Sequence, residues 1–275
     1  MIAWICTDME GLAGIDHWDQ CYGDGPEYHE HGRAQLTADT NAAIAGCFDG
    51  GATEVRVLDG HGRNRNQGFT ADLDPRATRV WISGPPTRLE GLDLSVSVGL
   101  MVGQHARAGT LHGFLDHTQS PKLICRMTAG GREIGEIGQF ALYCGAYGVP
   151  MMYLSGDEAA CAEAVALLPH CVNTPTKRGT GWATCELYDA EAARARIRAD
   201  AARSVREAER ALAYQIPAPF EVTVEYAYSE LADQKARWPG VRRPHARIVA
   251  WALADAADIY TWPSAGWAPG GTGDG

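Results

Sequence analysis

An α/β fold, with a mostly parallel sheet flanked by helices and a smaller C-terminal α+β region, is the class this sequence predicts. Three observations predict it. Short apolar runs of strand length recur from Ile2 to Leu154 with helical stripes between them. Four of these runs end in a similar way, on metal-capable side chains: Ile2-Ala3-Trp4-Ile5-Cys6-Thr7 on Asp8 and Glu10, Val55-Arg56-Val57-Leu58 on Asp59-Gly60-His61, Leu94 to Val102 on His105, and Val149 to Leu154 on Asp157-Glu158. Parallel strands buried on both faces read as such runs, and their carboxyl ends open onto one crevice where ligands bind. Beyond residue 170 the pattern changes to a charged helix followed by an alternating strand.

After the first strand, Gly11-Leu12-Ala13-Gly14-Ile15 and the polar, aromatic stretch from His17 to Gly32 predict an irregular loop long enough to carry function. Leu36, Thr40, Ala43, Ile44 and Cys47 then follow helical spacing from Arg33, and Gly50-Gly51 supplies the stop before the Val55 strand. Arg79-Val80-Trp81-Ile82 is another short strand, closed by Gly84-Pro85-Pro86. Leu123 to Met127 and Glu133-Ile134 flank Ala129-Gly130-Gly131-Arg132, a hairpin with a glycine turn. Glu136 opens a helix in which Ile137, Phe140, Ala141, Cys144 and Tyr147 share a face.

Pro169-His170 and the segment Thr174 to Gly179 interrupt the pattern, which places a boundary near residue 170. The expected organisation is a metal-binding catalytic domain over 1–170, a smaller α+β region over 171–262 suited to oligomer contacts, and a Gly-rich flexible tail over 263–275. In the second region Ile197, Ala201, Val205, Ala208 and Leu212 form a core stripe on a charged helix, and Phe220, Val222, Val224 and Tyr226 alternate as a half-exposed strand. Ile248 to Leu253 is either a final helix or a buried strand, because periodicity does not separate the two.

Composition narrows the function. A formal net charge of −10 and 45% hydrophobic residues in 275 describe a globular chain and argue against nucleic acid as a partner. No stretch has the length of a membrane span, and the strand-like Met1-Ile2-Ala3-Trp4 stands where a signal would carry a basic segment, so the expected location is cytoplasmic. The eight cysteines show no C-x-x-C spacing and read as reduced, mostly buried thiols.

Taken singly, the polar residues at the strand ends have plain readings: Asp8 and Glu10 as a cap or solvated pair, His61 and His105 as loop histidines, Glu136 as a favourable charge at a helix start. Taken together, three carboxylates and two imidazoles at one sheet edge would be costly to bury without a cation, and they predict a dinuclear metal site. Asp157 and Glu158 cap the helix near Ala159, and Asp59 is placed to orient His61 from behind. His112 and His117, in the glycine-containing loop after His105, are both candidates for a catalytic role.

These motifs resemble those of the dinuclear zinc D-aminopeptidases associated with bacterial dipeptide-transport operons. Asp8-Met9-Glu10-Gly11 with Gly14, Asp59-Gly60-His61, Gly103-Gln104-His105-Ala106-Arg107-Ala108 and Gly135-Glu136-Ile137-Gly138 are similar to its motifs in order and spacing. Gly113-Phe114-Leu115-Asp116-His117-Thr118 resembles the segment with its catalytic histidine, and a weaker likeness continues around Lys177 and from Glu221 to Tyr260. The resemblance implies two zinc ions per subunit on Asp8, Glu10, His61, His105 and Glu136, with Glu10 or Asp8 as the bridge, and His117 as the catalytic histidine. It also implies a ring-shaped homo-decamer with active sites facing an internal chamber. The expected function is a zinc-dependent aminopeptidase hydrolysing short peptides with an N-terminal D-amino acid. The alternatives are a dinuclear amidohydrolase acting on another small amide, a non-catalytic metal-dependent peptide-binding protein, and a purely structural zinc site. Carboxylate-rich ligands disfavour the last, since closed structural sites favour cysteine.

Overall fold

The computed structural model describes residues 1–62, 67–82 and 89–261, so the Gly84-Pro85-Pro86 turn and the 263–275 tail lie outside the described residues. Strand β1 (Ile2–Thr7), helix α1 (Arg33–Asp49) and strands β2 (Glu54–Asp59), β3 (Thr78–Val80) and β4 (Val98–Gln104) fall where the apolar runs place them. Next come the hairpin β5 (Ile124–Ala129) and β6 (Arg132–Glu133), helix α2 (Glu136–Ala146), β7 (Met151–Asp157) and α3 (Glu158–Leu167). The chain continues through β8 (Val172–Gly181), β9 (Thr184–Leu187), α4 (Ala190–Glu207), β10 (Phe220–Tyr226), α5 (Ser229–Lys235), β11 (Arg242–His245) and β12 (Ile248–Leu253).

One sheet has the order β3-β2-β1-β4-β7-β8-β9 and is parallel throughout except for β8 against β9. The other, β11-β12-β10-β5-β6, is antiparallel. In the parallel sheet the chain runs outward from β1 first to β2 and β3, then on the other side to β4 and β7. That reversal makes the carboxyl end of β1 a topological switch point, where an open α/β sheet leaves a crevice.

Strand alternation sorts the core into two layers. Ala3 and Ile5 pack with Leu36 and Ile44 of α1 and Ile197 and Val205 of α4 on one face. Trp4 and Cys6 face the other way into a layer that holds Phe140 and Cys144 of α2 and, beyond them, Met127, Val222, Val224 and Trp251 of the antiparallel sheet. Trp4 stacks on Phe140 at 5.0 Å between ring centres. Helix α2 is buried without a break from Ile137 to Gly145, as a helix covered on all sides must be.

Several expectations change. Thr174-Pro175-Thr176-Lys177-Arg178-Gly179 lies inside β8, which pairs in parallel with β7, so residues on both sides of position 170 contribute to each sheet. Pro175 is accommodated one residue before a register shift, at the Gly156/Asp157 irregularity of β7, so the strand keeps its place despite a missing donor. Ile248–Leu253 is the buried strand and not the helix. Leu212 is 90% exposed, because α4 ends at Glu207 and the stripe ends with it. The stretch from His17 to Gly32 contains a 3-10 turn at Trp18–Gln20 and a π-helical turn at Glu27–Gly32 that runs into α1.

Candidate metal centre

Two glycines bring the first ligands together. Beyond β1 the chain turns across the end of β4, with Asp8 N–H donating to Val102 O and Gly11 N–H to Gly103 O, each at 2.8 Å. A Cβ on Gly11 would sit 2.0 Å from Gln104 O, and one on Gly103, whose φ is +80°, would sit 2.2 Å from Asp8 O. Only glycine permits this approach, which sets Asp8 and Glu10 beside the Gln104-His105 end of β4. The returning loop is tied below by Lys177, whose buried ammonium donates to the carbonyls of Glu10 and, at 2.6 Å, Ile15. Ala13 N–H is held by Asp39 at 2.8 Å.

His61 arrives from the end of β2 and puts Nδ1 2.8 Å from Asp8 Oδ1 and 3.5 Å from Glu10 Oε2. His105 puts Nε2 3.4 Å from both Asp8 Oδ2 and Glu136 Oε1, aligned with neither as a hydrogen bond. Glu136 is the first residue of α2, and His117 Nε2 lies 3.8 Å from its Oε1. The His105 and His117 rings stack at 3.8 Å and 13°. Potential ligand atoms fall into overlapping groups, each within 4.8 Å: Asp8 with Glu10 and His61, Asp8 with His105 and Glu136, and Glu10 with His105 and His117.

The histidines share one device. Each anchors its outward nitrogen near a backbone carbonyl: His61 Nε2 on Cys21 O at 2.9 Å, His105 Nδ1 on Ala106 O at 2.8 Å, and His117 Nδ1 on Leu115 O at 2.8 Å. A carbonyl accepts only, so these partners assign N–H to the outward nitrogens and turn the inward ones toward the carboxylates. His105 Nε2 and Glu10 Oε2 are buried and find no hydrogen-bond partner among the described residues. Orphaned polar atoms of this kind, in an imidazole and carboxylate set, suit a divalent cation of the zinc type, which would take the place of the protons on the inward nitrogens.

The charges are mutually dependent. Burial and the charge of Glu10 push Asp8 up to about 7, against the pull of His61 and His105. Burial alone would raise Glu10, but His61, His105 and His117 hold it well below the ordinary carboxylate range. Burial would lower His61 and His105; carboxylates reverse this and hold both well above the usual imidazole range, with Glu10 the main one for His61 and Glu136 for His105. His117 shifts down, through burial and the neighbouring His105, and so remains neutral.

All six sequence-predicted residues, Asp8, Glu10, His61, His105, Glu136 and His117, therefore converge on one crevice. His112 does not: it lies on the exposed part of its loop. Asp157 caps α3 by accepting Ala160 N–H at 3.0 Å, and its other oxygen takes Phe114 N–H at 3.1 Å, which steadies the loop leading to His117. Asp59 accepts the backbone N–H groups of Gly68 and His61 and does not reach the His61 ring, whose outward nitrogen goes to Cys21 O instead. Sequence reasoning missed Tyr22, whose hydroxyl donates to Glu10 Oε1 at 2.6 Å, and the donation from Gln104 Nε2 to Asp8 Oδ2 at 3.0 Å. The aromatic character of the His17–Gly32 stretch was the available signal for Tyr22.

The D-aminopeptidase family model, Peptidase M55, matches residues 1–265, so the chain belongs to that family, as its motifs suggested. A D-aminopeptidase of Bacillus subtilis (strain 168) is 33% identical over 181 residues, 65% of this chain. The match spans 64% of that relative's length. A solved structure described as the Zn-dependent D-aminopeptidase DppA from Bacillus subtilis, a self-compartmentalizing protease, superposes with a TM-score of 0.89 at 26% identity over 94% of each chain.

Proposed function

We propose that this chain is a zinc-dependent aminopeptidase that releases the N-terminal D-amino acid from short peptides. The observation that carries the metal reading is the set of inward histidine nitrogens and carboxylate oxygens gathered at the switch point, with the outward nitrogens on backbone carbonyls. Asp8, Glu10 and His61 would hold one ion and Asp8, His105 and Glu136 the other, with Asp8 as the bridge. Zinc, when bound, supplies Lewis acidity toward a carbonyl and toward water. Family membership and the zinc-dependent relative support the peptide substrate and its D-configuration.

His117 is the catalytic histidine in this reading. Its neutral ring, with the proton fixed at Nδ1 by Leu115 O, presents an Nε2 lone pair beside Glu136. That nitrogen is placed to accept a proton during attack on the amide and to return it to the leaving amine. The ring-shaped homo-decamer expected from the family belongs to the same proposal, supported by the self-compartmentalizing relative and testable by the mass of the particle in solution. A cytoplasmic location is supported by the eight cysteines, which are all free. No helix among the described residues is long and apolar enough to cross a membrane.

The deciding experiment measures zinc-dependent release of amino acid from D-Ala-D-Ala and L-Ala-L-Ala by wild type and Glu10→Ala. Cleavage confined to the D-peptide and lost in the variant is the expected result. Failure of zinc-loaded wild type on both peptides would overturn the reading in favour of another small amide or of binding alone.

A further inference from the structure

Residues Cys21 and Tyr22 grip one half of the cation cluster and leave the other half untouched. The Cys21 carbonyl receives His61 Nε2, and the Tyr22 hydroxyl donates to Glu10 Oε1 at 2.6 Å. Glu10 is fully buried, so this hydrogen bond consumes one carboxylate oxygen in a place water does not reach. The remaining oxygen, Oε2, is left orphaned 3.5 Å from His61 Nδ1. The phenol thereby fixes which oxygen of Glu10 faces the cations, and it fixes the carboxylate's rotation as well.

The tyrosine is itself held from several sides. Its ring stacks on Trp18 at 4.0 Å and 19°, and tilts against the His61 ring at 4.7 Å. Trp18 meets Trp182 at 5.7 Å, on the turn between β8 and β9. Trp182 donates through its indole N–H to Asp116 O at 3.2 Å, and its carbonyl accepts Leu115 N–H at 2.7 Å. An aromatic row thus braces Tyr22 against the loop that carries His117. A half-buried ring whose rotamer is locked by packing loses little entropy in holding a ligand, and such supporting hydrogen bonds raise metal affinity.

We infer that Tyr22 is a positioning residue which, through Glu10, sets the affinity of the Asp8–Glu10–His61 cation position selectively over the Asp8–His105–Glu136 position. This rests on the dinuclear reading given above. It assigns to the 17–32 loop a task that no ligand on that loop performs.

The test is calorimetric titration of metal-free full-length protein with zinc alone, comparing wild type, Tyr22→Phe, Glu136→Gln and the double variant. Tyr22→Phe removes only the hydroxyl and keeps the stacked ring. The expected result is one ion bound as in wild type and the other weakened about 10- to 100-fold, with the melting temperature of the metal-free protein lowered only by the stranding of one Glu10 oxygen. Glu136→Gln should weaken the other ion, so the double variant should weaken both. Peptide release by Tyr22→Phe should fall at limiting zinc and recover at saturating zinc. Unchanged affinity for both ions would overturn the inference. So would equal weakening of both, or weakening of the same ion that Glu136→Gln affects. Should wild type take up a single ion, the dinuclear reading fails separately, and Tyr22→Phe still decides the inference: unchanged affinity for that ion would sink it.

Discussion

The two halves of the candidate cation cluster share Asp8 but are built by different kinds of structure. His105 follows β4 directly and Glu136 begins α2, so regular elements aim both side chains; Ala106 O, one residue along the chain, fixes the imidazole, and the one outside support among the described residues is Gln119 N–H, which donates to Glu136 Oε1 at 2.8 Å. The Glu10 and His61 half lies on turns beyond β1 and β2, and its alignment is borrowed from distant residues: Tyr22, the Cys21 carbonyl, Lys177 and Asp39. A ligand on a strand or helix end inherits its direction from backbone periodicity. A ligand on a turn needs outside partners, so that half is open to disruption from far away in sequence.

The largest effect should come from the residue common to both halves. Asp8→Ala should lose both ions by elemental analysis and lower kcat by on the order of 10³-fold or more, which is at least about 4 kcal/mol in barrier. Retention of one tightly bound ion would show that Asp8 belongs to a single half. His117→Asn should lower kcat about 10²- to 10⁴-fold with both ions retained. Loss of an ion instead would make His117 a ligand, in the group it forms with Glu10 and His105.

The dependence of the turn-built half on remote support can be broken at Asp39. Its carboxylate accepts Arg194 Nε at 2.9 Å from α4 and Ala13 N–H from the loop after Glu10, and it is fully buried. At pH 8 it is ionised, since burial lifts it only to about 6. Asp39→Ala leaves the buried Ala13 amide without its acceptor and takes one partner from Arg194, which keeps Glu191 and Gln35, and should cost about 1–3 kcal/mol in denaturant unfolding. In the folded fraction, zinc affinity should fall at the Glu10 position more than at the Glu136 position. Equal losses at both would erase the distinction between the halves.

The smallest effect lies outside both halves, on α5. Burial lowers the Lys235 ammonium to about 7 in a site beside Tyr226. Below pH 7 the lysine is charged in both folded and unfolded chains, and the folded state carries the cost of burying that charge, offset in part by the Tyr226 ring. Between about 7 and the unfolded value near 10.5 the unfolded chain binds the extra proton, so stability rises with pH across that window. Lys235→Met should therefore raise the melting temperature more at pH 6 than at pH 10, with zinc affinity unchanged at both positions. A pH-independent gain would show that the charge is not what burial opposes.

How much of this was legible follows the same division. His105 and Glu136 could be read because apolar runs mark strands and a helical stripe marks α2, and both ligands stand at their ends. Asp8, Glu10 and His61 could be read as residue types next to strands. Their support could not, since Tyr22 and Lys177 lie in segments whose local pattern gives no direction. Segment 172–181 concealed a parallel strand because Pro175, Gly179 and polar residues dilute the apolar signal, and pairing with β7 overrides that weak propensity.

By itself the sequence determined the strand and helix alternation of the α/β core, the chemical types of the candidate cation ligands and the family, because these depend on periodicity and on motifs of short range. Only the tertiary structure decided which nitrogen of each histidine faces inward, that Asp8 joins both groups, that His117 and not His112 enters the crevice, and that Tyr22 holds Glu10. Those outcomes depend on directions between segments far apart in the chain, such as Asp8 and Gln104, which lie 96 residues apart. Such directions are fixed only when sheet register and close glycine contacts bring the chain ends together.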